Sequence, residues 1–86
     1  MNASENGIKS AITSGQARAA RAILGWTQDQ LTAAAGIPKR TLARFELDEG
    51  SPQRRTVDAI RRALESAGVE FIPENGGGVG VRLRKG

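Results

Sequence analysis

Apolar residues recur along this chain with a helical period over most of its length, and with a period of two only near its end. Over residues 15–24, Ala20, Ile23 and Leu24 share one side of a predicted helix. Thr13 or Ser14 stands where its N-cap is needed, Thr13 and Gln16 have capping-box spacing, and Gly25 closes the segment. A second helix is predicted over 28–35, with Thr27 as cap and Gln30 three residues on. Leu31 and Ala34 or Ala35 form its apolar face, and Ala33 and Ala34 are small enough to let another helix backbone approach closely. Gly36 ends it, because glycine takes the left-handed geometry of a helix terminus without steric cost. Pro38 suits the first turn of a third helix, where its missing N–H has no intrahelical partner. Leu42 and Phe45 share that helix's apolar side, and Ile37 plugs the angle between the two helices. Trp26 is assigned to the core where the first two helices meet. A fourth helix over 54–67 carries the stripe Val57, Ile60, Ala63, Leu64 and Ala67, with Thr56 or Ser51 as cap and Gly68 as its end.

The two ends read differently. Ile8, Ala11 and Ile12 also sit at helical spacing, so residues 1–12 are expected as a short extra helix or a flexible arm. Residues 69–72 have strand composition, residues 73–78 are a Pro- and Gly-rich turn, and Val79, Val81 and Leu83 then alternate with Gly80, Arg82 and Arg84. This predicts a β-hairpin or strand pair with one apolar face. An isolated hairpin is barely stable in water, so it must pack on the helices or add to another sheet. Two arrangements satisfy that: tails of two copies pairing into a shared sheet that makes a homodimer, or an intramolecular hairpin covering the core. The expected fold is mainly α, a four- to five-helix bundle over 13–68 followed by a β tail over 69–86.

Residues 27–46, TQDQLTAAAGIPKRTLARFE, therefore form two short helices joined by a tight turn, the sequence form of a helix-turn-helix. The leftover face of the second helix is basic, with Lys39, Arg40 and Arg44, as a helix entering a DNA groove requires. Arg40 and Arg44 lie one turn apart. Arginine is the usual bidentate reader of guanine, so Arg40 is assigned to base edges and Arg44 to base or phosphate, with Lys39 able to do either. Thr41 is read as a contact to phosphate or a thymine methyl, or as a cap. Arg54 and Arg55 begin the fourth helix, where they oppose its dipole, and are read as phosphate contacts; Arg61 and Arg62 are read as solvated surface.

Composition agrees with this chemistry and removes others. The chain has 86 residues and a net charge of +4, which favours an anionic partner, nucleic acid first. It has no cysteine, histidine or tyrosine, so disulfides, thiolate metal sites and the commonest general base are missing. No enzyme activity, metal or cofactor is expected. No apolar run approaches the ~20 residues of a membrane span, and the N-terminus lacks the apolar core of a secretory signal, which predicts a cytoplasmic protein without a membrane partner.

The stretch RAILGWTQDQLTAAAGIPKRTLARFE resembles the DNA-binding domain of phage repressor/Cro proteins and of bacterial regulators of the xenobiotic-response-element (XRE) type. The likeness runs from about residue 16 to 72. It is most specific at Thr27-Gln28, the spacing of Leu31 and Gly36, Arg40-Thr41-Leu42, and Phe45-Glu46. The resemblance implies that Arg21 pairs with Glu46, tying the first helix to the end of the recognition helix. It also implies that Gln28 anchors a phosphate at a helix N-terminus. Two departures stand out. Asp48 occupies a place where glycine is usual, and with Glu49 it sets negative charge beside the DNA-facing region. Pro38 stands where Ser or Thr is common, which removes a cap and a backbone donor. The implied function is sequence-specific binding of double-stranded DNA by a bacterial transcription regulator. Repression is the default, and a homodimer on an inverted repeat reaches half-sites ~34 Å apart. The alternatives are an antitoxin-type autoregulator that also binds a toxin, and a small protein-interaction module whose basic face meets an acidic protein. Clustering of Lys39, Arg40 and Arg44 on one helix favours DNA over the latter, and the lack of exposed stacking aromatics argues against single-stranded RNA.

Overall fold

In a computed structural model describing residues 11–85, four helices precede a two-stranded antiparallel sheet. The helices are α1 (Ser14–Leu24), α2 (Gln28–Ala35), α3 (Lys39–Glu46) and α4 (Arg54–Ser66); the strands are β1 (Val69–Ile72) and β2 (Gly80–Leu83). The helix or arm expected over 1–12 lies almost wholly outside the described residues.

Local chemistry sets the first two helices. The Thr13 N–H donates to Gln16 Oε1 at 2.9 Å and the Gln16 N–H to Thr13 Oγ1 at 3.0 Å. Thr27 and Gln30 repeat this box at 2.8 and 3.1 Å. Gly25 and Gly36 close α1 and α2 at φ 71° and 72°, the left-handed region where a side chain would be strained. The next two helices start differently from expectation. Pro38 stands one residue before α3, as its cap, and its carbonyl accepts from the Thr41 and Leu42 N–H groups at 3.0 and 3.3 Å. Gln53, not Thr56 or Ser51, holds the cap place of α4, and neither helix has a side-chain cap.

The core joins Leu31, Leu42, Ile60, Leu64 and Val69, all fully buried, with Ile12, Ala17, Ala20, Phe45 and Ala63 around them. Leu24, Trp26, Ile37 and Val57 pack against it half-buried. Ile23 does not join them; it is 40% exposed. The buried stripe of α1 runs through Ala17, Ala20 and Leu24, and at 100° per residue Ile23 lies roughly a quarter-turn from its centre. Two alanines on that stripe let α1 approach its neighbours more closely than a face built on Ile23 would allow.

The strands pair within the chain, in the register Val69↔Leu83, Phe71↔Val81. Of the two arrangements open from the sequence, the structure therefore has the intramolecular hairpin. Its inner face is narrower than the alternation implies. Val79 falls in the exposed connection before β2, and Leu83, the last strand residue, is 52% exposed. Val69, Phe71 and Val81 are the residues that pack on the core, while Glu70 and Arg82 pair on the outer face at 3.2 Å. A buried glutamine holds the loop end of the hairpin: Gln16 Nε2 donates to the carbonyls of Gly80 at 2.8 Å and Ile72 at 3.3 Å. The same side chain thus caps α1 and clasps the sheet.

Between α3 and α4 the chain turns at Asp48, which has φ 60°. The Asp48 N–H bonds the Phe45 carbonyl at 3.1 Å and the Glu49 N–H the Arg44 carbonyl at 2.9 Å, the usual closure around a left-handed residue. Asp48→Gly is expected to raise the unfolding free energy by ~0.5–1 kcal/mol, since it removes the side-chain penalty of this geometry. Urea titration reads this directly, and a loss of stability would mean that the aspartate itself supports the turn.

Candidate nucleic-acid interface

The short helix α3 divides sharply into two sides. Leu42, Phe45 and Glu46 are buried, while Lys39, Arg40 and Arg44 are exposed. The two leading arginines sit i, i+4 on the outer side because the leucine and phenylalanine at i+2 and i+5 point inward. No ion pair or side-chain hydrogen bond engages Arg40 or Arg44 among the described residues. Lys39 is placed differently: its Nζ lies 3.1 Å from Asp29 Oδ1, across the turn of the motif. Both groups are exposed, so this pair is weak and a phosphate can compete for the lysine. Asp29 carried no signal in the sequence beyond being an acidic residue at a helix start.

The inner end of α3 is held by charge. Arg21 Nε lies 2.7 Å from Glu46 Oε2 and Arg21 Nη2 lies 2.9 Å from Oε1, a bidentate pair. Arg21 Nη1 also donates to the Trp26 carbonyl at 3.0 Å. Glu46 is only 3% exposed. Burial alone would push its carboxyl above the usual range. Hydrogen bonds from Arg21 and then Gln28, with the charges of Arg21 and Arg18, outweigh burial and hold it below that range.

Gln28 is the candidate contact that the structure brings into this network. Its Nε2 donates to Glu46 Oε1 at 2.9 Å, and it is half-buried. A primary amide has two N–H donors, so one is engaged by Glu46 and the other is left for a partner outside. The carboxylate thereby orients the side chain at the start of α2.

Arg44 and Thr41 also border a second feature, an open cleft of about 330 Å³ between α3 and the start of α4, lined further by Phe45, Glu49, Ser51, Pro52, Gln53 and Thr56. Arg54 and Arg55 follow Gln53 directly and are exposed; Arg55 Nε donates to Gln53 Oε1 at 3.2 Å. They stand on the first turn of α4, whose leading N–H groups no side chain caps. The sequence-predicted residues thus fall into two sets: Lys39, Arg40, Thr41 and Arg44 on α3, with Arg54 and Arg55 across the cleft, and Gln28 with the Arg21–Glu46 pair.

Among the described residues no group of three or more acidic, His or Cys side chains is placed to hold a metal, and no helix is long and apolar enough to cross a membrane. A helix-turn-helix family model matches residues 18–71, more than half of the chain. No curated protein matches it significantly.

Proposed function

The chain belongs to the helix-turn-helix family of the XRE type, a DNA-binding domain of transcription regulators, and on that footing we propose that it is a bacterial, cytoplasmic repressor that reads a specific double-stranded sequence as a homodimer on an inverted repeat. The observation that carries this reading is the pair Arg40 and Arg44. Both are exposed, they stand one turn apart, and the opposite side of their helix is locked into the core by Leu42, Phe45 and Glu46. A rigidly held helix with unpaired guanidinium groups suits bidentate base recognition in the major groove. Gln28, Arg54 and Arg55 supply sequence-independent phosphate contacts on either side of it, and Thr41 and Lys39 border the groove. Repression follows from occupying a promoter, without need of a further surface.

The homodimer forms through the C-terminal hairpin. The Arg84 N–H donates to the Gly68 carbonyl at 2.7 Å, so with the register Val69↔Leu83 the bonded pairs fall at the even-numbered residues of both strands. Val81 and Leu83 then turn their N–H and C=O groups away from β1, toward the outer edge of β2. Such an edge is a template for another strand, and edge-to-edge addition of two copies gives a four-stranded sheet. Leu83→Pro removes one outward donor without breaking a bond inside the hairpin. Sedimentation of the unaltered chain is expected to give a dimer mass and the variant a monomer mass. The same mass for both would rule out this edge.

The test of the reading as a whole is selection from a randomised duplex pool at roughly physiological salt, where non-specific phosphate binding is weak. An enriched inverted repeat is the expected result. A single short motif would mean a monomeric reader, and no enrichment would transfer the basic face to a protein partner.

A further inference from the structure

Three glycines share almost the same left-handed backbone, Gly25 at φ 71°, Gly36 at φ 72° and Gly50 at φ 69°, yet their surroundings differ. A Cβ placed on Gly25 or Gly36 meets nothing within 4 Å. A Cβ placed on Gly50 would stand 2.8 Å from Nη2 and 3.7 Å from Cζ of Arg44. The Arg44 guanidinium therefore lies against the bare Cα of Gly50, a place that no residue with a side chain leaves free. Gly50 is in the exposed connection between α3 and α4, outside any helix or strand. Helix propensity and core packing do not explain its small size.

We infer that Gly50 is a positioning residue for DNA recognition, and that it sets where the Arg44 guanidinium sits. Arg44 leaves α3 one turn after Arg40 and has several rotatable bonds, so in water its charged end would sample a wide arc. Resting on the flat backbone at Gly50, in the cleft beside Thr41 and Thr56, confines that end to one side of the helix before any DNA arrives. The ordering cost is then met in the free protein instead of on binding. Because the crowded atom is the far end of a flexible side chain, a Cβ at position 50 displaces Arg44 and leaves the fold standing. The consequence is specific: a substitution at Gly50 acts on binding through Arg44. This inference rests on the reading that Arg44 touches DNA, and the test separates the two.

The experiment selects from a random-sequence duplex pool with the unaltered chain and with each variant, then measures binding of the fluorescein-labelled duplex that the unaltered chain enriches. The variants are Arg44→Ala, Gly50→Asn, the double variant, and Gly25→Asn as a control of matched backbone geometry without a neighbour. Asparagine tolerates the left-handed region, so each variant keeps the turn while adding a Cβ. Arg44→Ala is expected to bind about tenfold more weakly, Gly50→Asn to approach that loss, and the double variant to be no weaker than Arg44→Ala alone. Gly25→Asn is expected to bind as the unaltered chain does. In selection, Gly50→Asn and Arg44→Ala are expected to lose preference at the same base positions. If Arg44→Ala is weak while Gly50→Asn binds normally, or if the Gly50→Asn loss persists in the Arg44→Ala background, Gly50 does not position Arg44. If Arg44→Ala binds normally, Arg44 is not a DNA contact and the inference falls with that reading.

Discussion

Arg21→Ala is expected to lower the unfolding free energy by ~3–5 kcal/mol, the usual cost of stripping the partner from a buried charge. A domain of this size has a total stability of roughly 5–10 kcal/mol, so the variant is close to unfolding at ambient temperature. The size of the effect comes from what is left behind. Glu46 is 3% exposed, and without Arg21 its carboxylate keeps only the Gln28 amide as a partner. Glu46→Ala leaves Arg21 instead, whose side chain is 21% exposed and can reach water, so its cost is smaller. Replacing both together by apolar residues of similar volume, Arg21→Met with Glu46→Leu, is expected to recover most of the loss. Chemical denaturation of the three variants distinguishes an unpaired charge from lost packing, which the double replacement would not repair.

The same pair gives the protein an acid limit. The folded Glu46 carboxyl titrates below its ordinary range, so as pH falls the unfolded chain takes up its proton first. The stabilisation is complete above the ordinary glutamate value of about 4.3 and is lost progressively as pH drops through and below it. Glu46→Gln removes this titration. Its stability is expected to be lower at neutral pH and flatter below pH ~4.3 than that of the unaltered chain. Parallel acid limbs in the two proteins would assign the acid limit to other carboxylates.

The largest expected effect on recognition belongs to Arg40. Loss of one bidentate guanine contact costs ~1–3 kcal/mol, about tenfold to a hundredfold on the preferred duplex and much less on unrelated DNA. Arg40→Ala should therefore relax preference at one base position of each half-site. Gln28→Ala should instead weaken binding to all duplexes alike, because phosphates carry no sequence. The Gln28 amide also serves Glu46, so its removal costs stability of the order of 1 kcal/mol as well, and both variants are best compared well below their unfolding midpoints. Identical selectivity changes in the two would sink the division of roles.

The clasp of Gln16 shows how a side chain legible for one purpose acquires another. Thr13 and Gln16 have capping-box spacing, and the box is present. The box uses the Gln16 amide oxygen, and the amide nitrogen donates to the carbonyls of Ile72 and Gly80, 56 and 64 residues away. Nothing in a local window signals that contact. Ile23 illustrates the converse. Its apolar character suits an inward face, but close approach of α1 through Ala17 and Ala20 rotates it to the rim. Asp48, by contrast, was readable: few residues other than glycine accept φ 60°, and aspartate is one of them.

From the sequence alone came the four helices, the caps of α1 and α2, the helix-turn-helix, the basic outer face of α3 and the hairpin, because each depends on contacts within about one turn or on a local period. Tertiary structure alone decided three matters. It paired the two strands within one chain, where a strand pattern by itself does not say which copy supplies its partner. It turned the Gln28 amide onto Glu46, so that the side chain proposed to meet a phosphate is oriented by the carboxylate of the buried ion pair. It also laid Arg44 against Gly50, a contact set by the path of the loop after α3. All three join residues distant in sequence or from separate elements, and their geometry exists only once the core of Leu31, Leu42, Ile60, Leu64 and Val69 has fixed the helices against one another.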